Sequence, residues 1–215
     1  MIIKTYVASG FAENAYLIWQ PDQNEAVAID PGDAPSIVRT LEEEDLKLAA
    51  ILLTHAHLDH IDGVAHLVRA TSAPVYLHPQ ARLFYDNAAV QAAQFGMRVE
   101  APPPPTHELQ ADTTLQLAGI KLEVRYVPGH APGHVLFYNA EQGVAFVGDV
   151  VFQGSIGRTD LPGGNYQVLM TSIRDHVMTL PEDTKLYSGH GPVTTVGEER
   201  RFNPFIAPMY GGSFA

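Results

Sequence analysis

The chain has 215 residues, 46% hydrophobic and 17% charged, which supports one substantial core and excludes a disordered chain. Thirteen Lys and Arg against 24 Asp and Glu leave a formal net charge of −11, which opposes binding to nucleic acid or to an anionic membrane. Cysteine is absent, so disulfides, thiolate ligands and cysteine nucleophiles are excluded together.

Met1-Ile2-Ile3-Lys4-Thr5 lacks the charged, apolar, then small order of a signal peptide, and no apolar run is long enough for a spanning helix. A cytoplasmic location is the expectation. Strands are expected over 2–8 and 14–20 with a turn at Ser9-Gly10, and over 25–30, where Pro31-Gly32 halts the run. A helix over 34–46 buries Ile37, Val38, Leu41 and Leu46 and leaves the acidic run Glu42 to Asp45 in solvent. A buried strand from Ala49 to Leu53 runs straight into Thr54-His55, and helix follows over 60–70. A strand at 74–77 and a helix at 79–95 precede Ala101-Pro102-Pro103-Pro104-Pro105, which reads as a rigid extended loop. Strands are then expected at 113–117, 120–127, 134–139 and 143–148, a glycine-rich loop at 153–164, a helix at 166–179 and a strand at 184–188. A short helix near 195 leads to an irregular tail from about 203. The whole, 1–215, is expected to be a single domain.

The sharpest local feature is Thr54-His55-Ala56-His57-Leu58-Asp59-His60. Neutral imidazoles ligate zinc, iron or manganese, and carboxylates suit the harder of these. Side chains of extended backbone alternate, so His55 and His57 leave on one side, while Asp59 and His60 come from the turn into the next helix and aim elsewhere. One segment can thus offer two ligand pairs to two adjacent ions. The plain alternative is a loop of solvated histidines, but three further donors occur where strands meet glycine-flanked loops: His130 in Val127-Pro128-Gly129-His130, Asp149 after Gly148, and His190 in Ser188-Gly189-His190-Gly191. Asp30 is either a partner orienting a ligand histidine or a turn aspartate bonding its own backbone. His134 is expected to be structural, Tyr16 a core residue, Asn14 an edge of the pocket, and His66, His78, His107 and His176 surface histidines.

With these residues in place, the chain resembles the metallo-β-lactamase superfamily over nearly its whole length, and within it the short bacterial branch of glyoxalase II-like thioester hydrolases. The resemblance extends to Gly154-Ser-Ile-Gly-Arg158-Thr-Asp160 and to Glu198-Glu-Arg-Arg-Phe-Asn203-Pro204-Phe205. It implies an α+β fold, a four-layer αββα sandwich with metals at one edge between two mixed sheets. It also implies that His55, His57 and His130 hold a first ion, that Asp59, His60 and His190 hold a second, and that Asp149 bridges both. The C-terminal helical domain with which glyoxalase II helps hold glutathione is not expected here. The positions where family enzymes place a Lys and tyrosines for glutathione read Gly157-Arg158-Thr159-Asp160 and His190-Gly191-Pro192. Arg158 is therefore either a substitute contact for a substrate anion or a salt-bridged loop residue.

Two divalent ions, zinc first and iron or manganese next, would lower the pKa of a shared water toward neutrality, with Asp59 orienting the resulting hydroxide for attack on a carbonyl. A thiolate leaving group needs no protein acid. The ions outweigh Asp59, Asp149 and a hydroxide, so a small anionic substrate is expected, and the resemblance implies one of the S-hydroxyacyl-glutathione type. The competing expectations are a mononuclear iron persulfide dioxygenase, a lactone or β-lactam hydrolase on the same centre, and a non-catalytic metal module.

Overall fold

The protein is described here by a computed structural model covering residues 1–8 and 10–211. Ser9 of the expected first turn and residues 212–215 of the expected tail lie outside the described residues. The first sheet runs in the order β1 (Ile2–Val7), β2 (Asn14–Trp19), β3 (Glu25–Ile29), β4 (Lys47–Leu52), β5 (Val75–Leu77) and β6 (His107–Glu108). The second contains β7 (Thr113–Leu117), β8 (Ile120–Tyr126), β9 (Val135–Asn139), β10 (Val144–Gly148), β13 (Lys185–Ser188) and β14 (Thr194–Thr195), in the spatial order β14-β13-β10-β9-β8-β7. A small hairpin of β11 (Val151–Phe152) and β12 (Ser155–Ile156) stands between β10 and β13 in sequence.

Alternation along the strands divides the apolar residues among three cores, which is why four layers form. Tyr16, Ile18, Val27, Ile29, Ala50 and Leu52 of the first sheet meet Ile120, Leu122, Val124, Val135, Phe137 and Phe146 of the second. Their neighbours Ala15, Leu17, Ala26, Ala28 and Ile51 face the other way, toward α1 (Ala34–Glu43) and α3 (Val64–Thr71). On the far side, Leu136, Ala145, Val147 and Leu186 pack on α6 (Tyr166–Ser172) and α7 (Val196–Phe202). This is the αββα sandwich. No helix among the described residues is long and apolar enough to cross a membrane.

The expected helices prove shorter or broken, each for a local reason. The first stops at Glu43, because Asp45 takes a left-handed φ of +52° that turns the chain into β4. The expected helix over 60–70 splits into α2 (Leu58–Ile61) and α3 at Gly63, where a β-carbon would lie 1.7 Å from the Pro31 carbonyl oxygen. That close approach brings α2 against the end of β3, beside Asp30. The expected helix over 79–95 is a 3₁₀ turn at Pro79–Ala81 followed by α4 (Arg82–Asp86) and α5 (Ala88–Gln94), parted at Asn87. The expected helix at 166–179 relaxes into a π turn over Ile173–Val177, and the tail contains a 3₁₀ turn at Ala207–Tyr210.

The C-terminal helix is tied to the β11–β12 hairpin through Glu199, which is buried. Its carboxylate accepts hydrogen bonds from Gly154 N at 2.9 Å, Asn203 Nδ2 at 2.7 Å and Thr194 Oγ1 at 2.5 Å. Asn203 also donates to Ser155 O at 2.8 Å. Glu199→Ala strands these donors in a dry site, so a stability loss of about 3 kcal/mol is expected in urea unfolding; a loss under about 0.5 kcal/mol would show the tether is incidental.

Candidate metal centre

Strand direction explains why distant residues meet. β3 and β4 are parallel, as are β10 and β13, and β8 runs antiparallel to β9, which runs antiparallel to β10. The carboxyl ends of β3 and β4, and those of β8, β10 and β13, therefore share one edge of their sheets. Asp30, Thr54-His55, His130, Asp149 and His190 each follow one of these ends. Two backbone bonds close the sheets on each other there, Val135 N to Thr54 O at 2.8 Å and Asn14 N to Gly189 O at 2.7 Å.

Two donor clusters result, His55-His57-His130 and Asp59-His60-His190. In the first, His57 Nδ1 lies 3.2 Å from His55 Nε2 and 2.8 Å from His130 Nε2. In the second, His190 Nε2 is 3.2 Å from Asp59 Oδ2, and His60 Nε2 is 3.8 Å from the same oxygen. Asp149 stands between them: Oδ1 is 3.4 Å from His60 Nε2, while Oδ2 is 3.5 Å from His130 Nε2 and 3.6 Å from His190 Nε2. All seven sequence-derived donors converge.

The hydrogen bonds on the outer ring nitrogens decide which face of each histidine is free. His130 Nδ1 meets Arg158 O at 2.8 Å and His190 Nδ1 meets Ala12 O at 3.2 Å; a carbonyl only accepts, so both Nδ1 atoms carry the proton. His60 Nδ1 donates to Asp30 Oδ2 at 3.0 Å. Thr54 gives its hydroxyl proton to Asp30 Oδ2 at 2.6 Å, so its oxygen accepts from His55 Nδ1 at 3.0 Å. With Nδ1 engaged outward, the four rings turn Nε2 inward, toward one another and toward carboxylate oxygens. The buried His60 Nε2 and Asp149 Oδ1 face each other without a hydrogen-bond partner. Such an arrangement is repulsive unless a cation lies between the lone pairs, and the residues therefore fit divalent metal ions.

Electrostatics divide the clusters in the same way. Burial holds His55 well below the usual histidine range and pushes His57 down to about 3, so both are neutral electron-pair donors. Burial also opposes charge on His60 and His190, yet the carboxylates around them win, Asp59 and Asp149 foremost for His60, and raise both. Burial likewise disfavours charge on Asp149, but His60 and His130 hold its carboxyl far below the ordinary range. A field that retains protons on buried imidazoles is one that would also retain a metal cation.

Asp30 could belong to a third donor group with His55 and His60, but its oxygens already accept from Thr54 N at 2.7 Å, Thr54 Oγ1 and His60 Nδ1. It orients ligands and has little left to give an ion. His134 stacks on His55 with centroids 4.6 Å apart and accepts from Asp149 N at 3.1 Å. The guanidinium of Arg158 forks onto Asp160 at 2.7 Å on each side; what Arg158 brings to the centre is its carbonyl. Asn14 does not edge the cleft: its amide donates to Ser188 O and Gly191 O and holds the His190 loop. Tyr16 is buried and donates to Ser188 O at 2.5 Å.

The profile of the metallo-beta-lactamase superfamily matches residues 8–190. The chain belongs to the metallo-β-lactamase superfamily. It is 39% identical over 209 residues to a Haemophilus influenzae protein named hydroxyacylglutathione hydrolase GloC, covering 96% of this chain and 98% of the other. Among solved structures it superposes on the B3 metallo-β-lactamase BLEG-1 with a TM-score of 0.90 at 41% identity, over 95% of this chain and 99% of that one. It also superposes on TTHA1623, solved in a di-iron-bound form, with a TM-score of 0.86 at 41% identity, over 95% and 100% of the two chains. The protein is thus a metallo-hydrolase of this superfamily that takes divalent metal ions, which removes the non-catalytic module from consideration.

One residue at the centre escaped sequence reasoning. Glu13 is fully buried, both its oxygens lack a hydrogen-bond partner, and Oε1 is 3.8 Å from His60 Nδ1. Burial raises its carboxyl well above the ordinary range. The available signal was an acid placed one residue before a strand buried at every position. Asp30→Asn keeps the left-handed φ of +47° that Asn tolerates but turns an NH2 group toward at least one of the three donors, Thr54 N, Thr54 Oγ1 and His60 Nδ1. Metal affinity should fall about tenfold in chelator competition while the fold is retained; unchanged affinity would remove Asp30 from the supporting shell.

Proposed function

We propose that this protein hydrolyses acyl thioesters of the S-hydroxyacyl-glutathione type with two divalent ions. His55, His57 and His130 would hold one, Asp59, His60 and His190 the other, and Asp149 would be shared. The observation that carries the reading is the pair of donor clusters joined by one carboxylate whose two oxygens face different histidines. The donors are nitrogen and oxygen only, which suits zinc and accommodates iron or manganese.

When bound, the ions supply an acidified water and a Lewis acid for the carbonyl. The chain's own residues do the rest. Asp59 is a carboxylate of the centre that lines the cleft beside His57, His130, Asp149 and His190. It can accept the proton of the attacking water and fix its direction, while His190 Nε2 at 3.2 Å limits where that carboxylate turns. Asp30, Thr54, Arg158 O and Ala12 O keep the imidazoles aimed, so little reorganisation is needed as charge develops. A thiolate departs without a proton donor, and the described residues lining the cleft include no acid besides Asp59 and Asp149.

The similarity to the H. influenzae hydroxyacylglutathione hydrolase supports a thioester. The similarity to BLEG-1 favours a lactam ring as the second reading, since both substrates present a carbonyl to the same edge. Elemental analysis with a thioester and lactam panel separates these, and a single iron per chain with persulfide-dependent oxygen uptake would replace both by a dioxygenase. In the hydrolase, Asp59→Asn should lower kcat about 10²- to 10⁴-fold with unchanged circular dichroism. Turnover at the wild-type rate would remove Asp59 from the reaction.

A further inference from the structure

The cleft in front of the donor clusters has a volume of about 290 Å³, and its outer wall is apolar. Phe11 and Phe95 meet edge to face with centroids 5.2 Å apart at 81°. Phe84 stands 5.7 Å from the His57 ring at 75°, and Leu161 lines the cleft with these rings. Phe95 caps α5 and is 59% exposed, a large ring left in water at the mouth of a site. The wall is fixed: Gln91, on α5, donates to Ala56 O at 3.0 Å and Phe84 O at 2.9 Å, joining the helix to the loop that carries His55 and His57.

Charge is arranged differently. Among the described residues lining the cleft, Arg158 is the one Lys or Arg, and Asp160 pairs with it through Nε and Nη2, offsetting its charge. The carboxylates of a glutathione moiety would find no unpaired cation on this wall, on a chain of net charge −11. A phenyl group would find edge-to-face partners and cover exposed aromatic surface.

We infer that the cleft selects substrates by an aromatic or branched acyl group seated against Phe11, Phe84 and Phe95, and is nearly indifferent to the charge of the carrier thiol. This rests on the thioester reading and deepens it: the acyl side is read, the glutathione side is not. Phe95 is the specificity-determining residue, because its ring is the most solvent-exposed of the wall.

The test uses the metal-loaded protein with four substrates, S-mandeloyl and S-lactoyl esters of glutathione and of the uncharged thiol N-acetylcysteamine. Mandeloyl should exceed lactoyl about tenfold in kcat/KM on either carrier, mostly through KM, with the carriers within about threefold of each other. Phe95→Ala should shrink the acyl ratio to about twofold, and Arg158→Ala should leave the carrier ratio as it was. Lactoyl turned over as well as mandeloyl, or a glutathione preference lost in Arg158→Ala, would overturn the inference while the hydrolase stands. Calorimetry with unreactive analogues, a methylene in place of the thioester carbonyl, covers the remaining case. If no ester is cleaved the thioester reading fails, and tighter binding of the phenyl analogue, weakened by Phe95→Ala, still supports the selection, whereas equal binding of phenyl and methyl analogues overturns it.

Discussion

Four outward hydrogen bonds, from the Nδ1 atoms of His55, His60, His130 and His190, govern the rest of this structure. Each fixes a tautomer, and each tautomer turns a lone pair into the same small space. The acceptors come from four different places: a threonine hydroxyl, a buried aspartate, and the carbonyls of Arg158 and Ala12. None of these is a metal donor. They are set by backbone geometry, and the backbone is set by how the two sheets close at their edge.

That closure explains features that otherwise look wasteful. A β-carbon on Gly157 would lie 1.9 Å from Asp149 O, and one on Gly189 would lie 2.1 Å from Asp149 Oδ1. Both positions require glycine because neighbouring chain passes within contact distance of Asp149, which stands between the two donor clusters. The Glu199–Asn203 tether sits behind the same loop, so the C-terminal helix holds the segment whose Arg158 carbonyl orients His130. Stability and site geometry here depend on the same bonds.

The site joins two contrasting surfaces. Behind the donors lies a dense polar layer of Asp30, Thr54, His134 and Glu13, fully or nearly fully buried. In front lies an aromatic rim with its one cation paired. The polar layer orients the donors, and the rim offers mainly shape and apolar contact for discrimination. Superfamily members with unlike substrates can share the first surface and differ in the second, consistent with relatives named as a hydroxyacylglutathione hydrolase and as a B3 metallo-β-lactamase at near-equal identity.

Local sequence determined much of this. The spacing of His55, His57, Asp59 and His60 and the glycines beside His130, Asp149 and His190 are properties of short segments. Their geometry follows from backbone period alone, so they were legible without a fold. Tertiary structure decided what depends on distant partners: the break at Gly63 against Pro31, the pairing of Asp30 with both Thr54 and His60, and the burial of Glu13. The same holds for the fate of Arg158, whose side chain turns to Asp160 while its carbonyl turns to His130. A hydrogen bond between residues 28 or 30 positions apart leaves no periodic trace in the chain; it exists only once two sheets have brought their edges together.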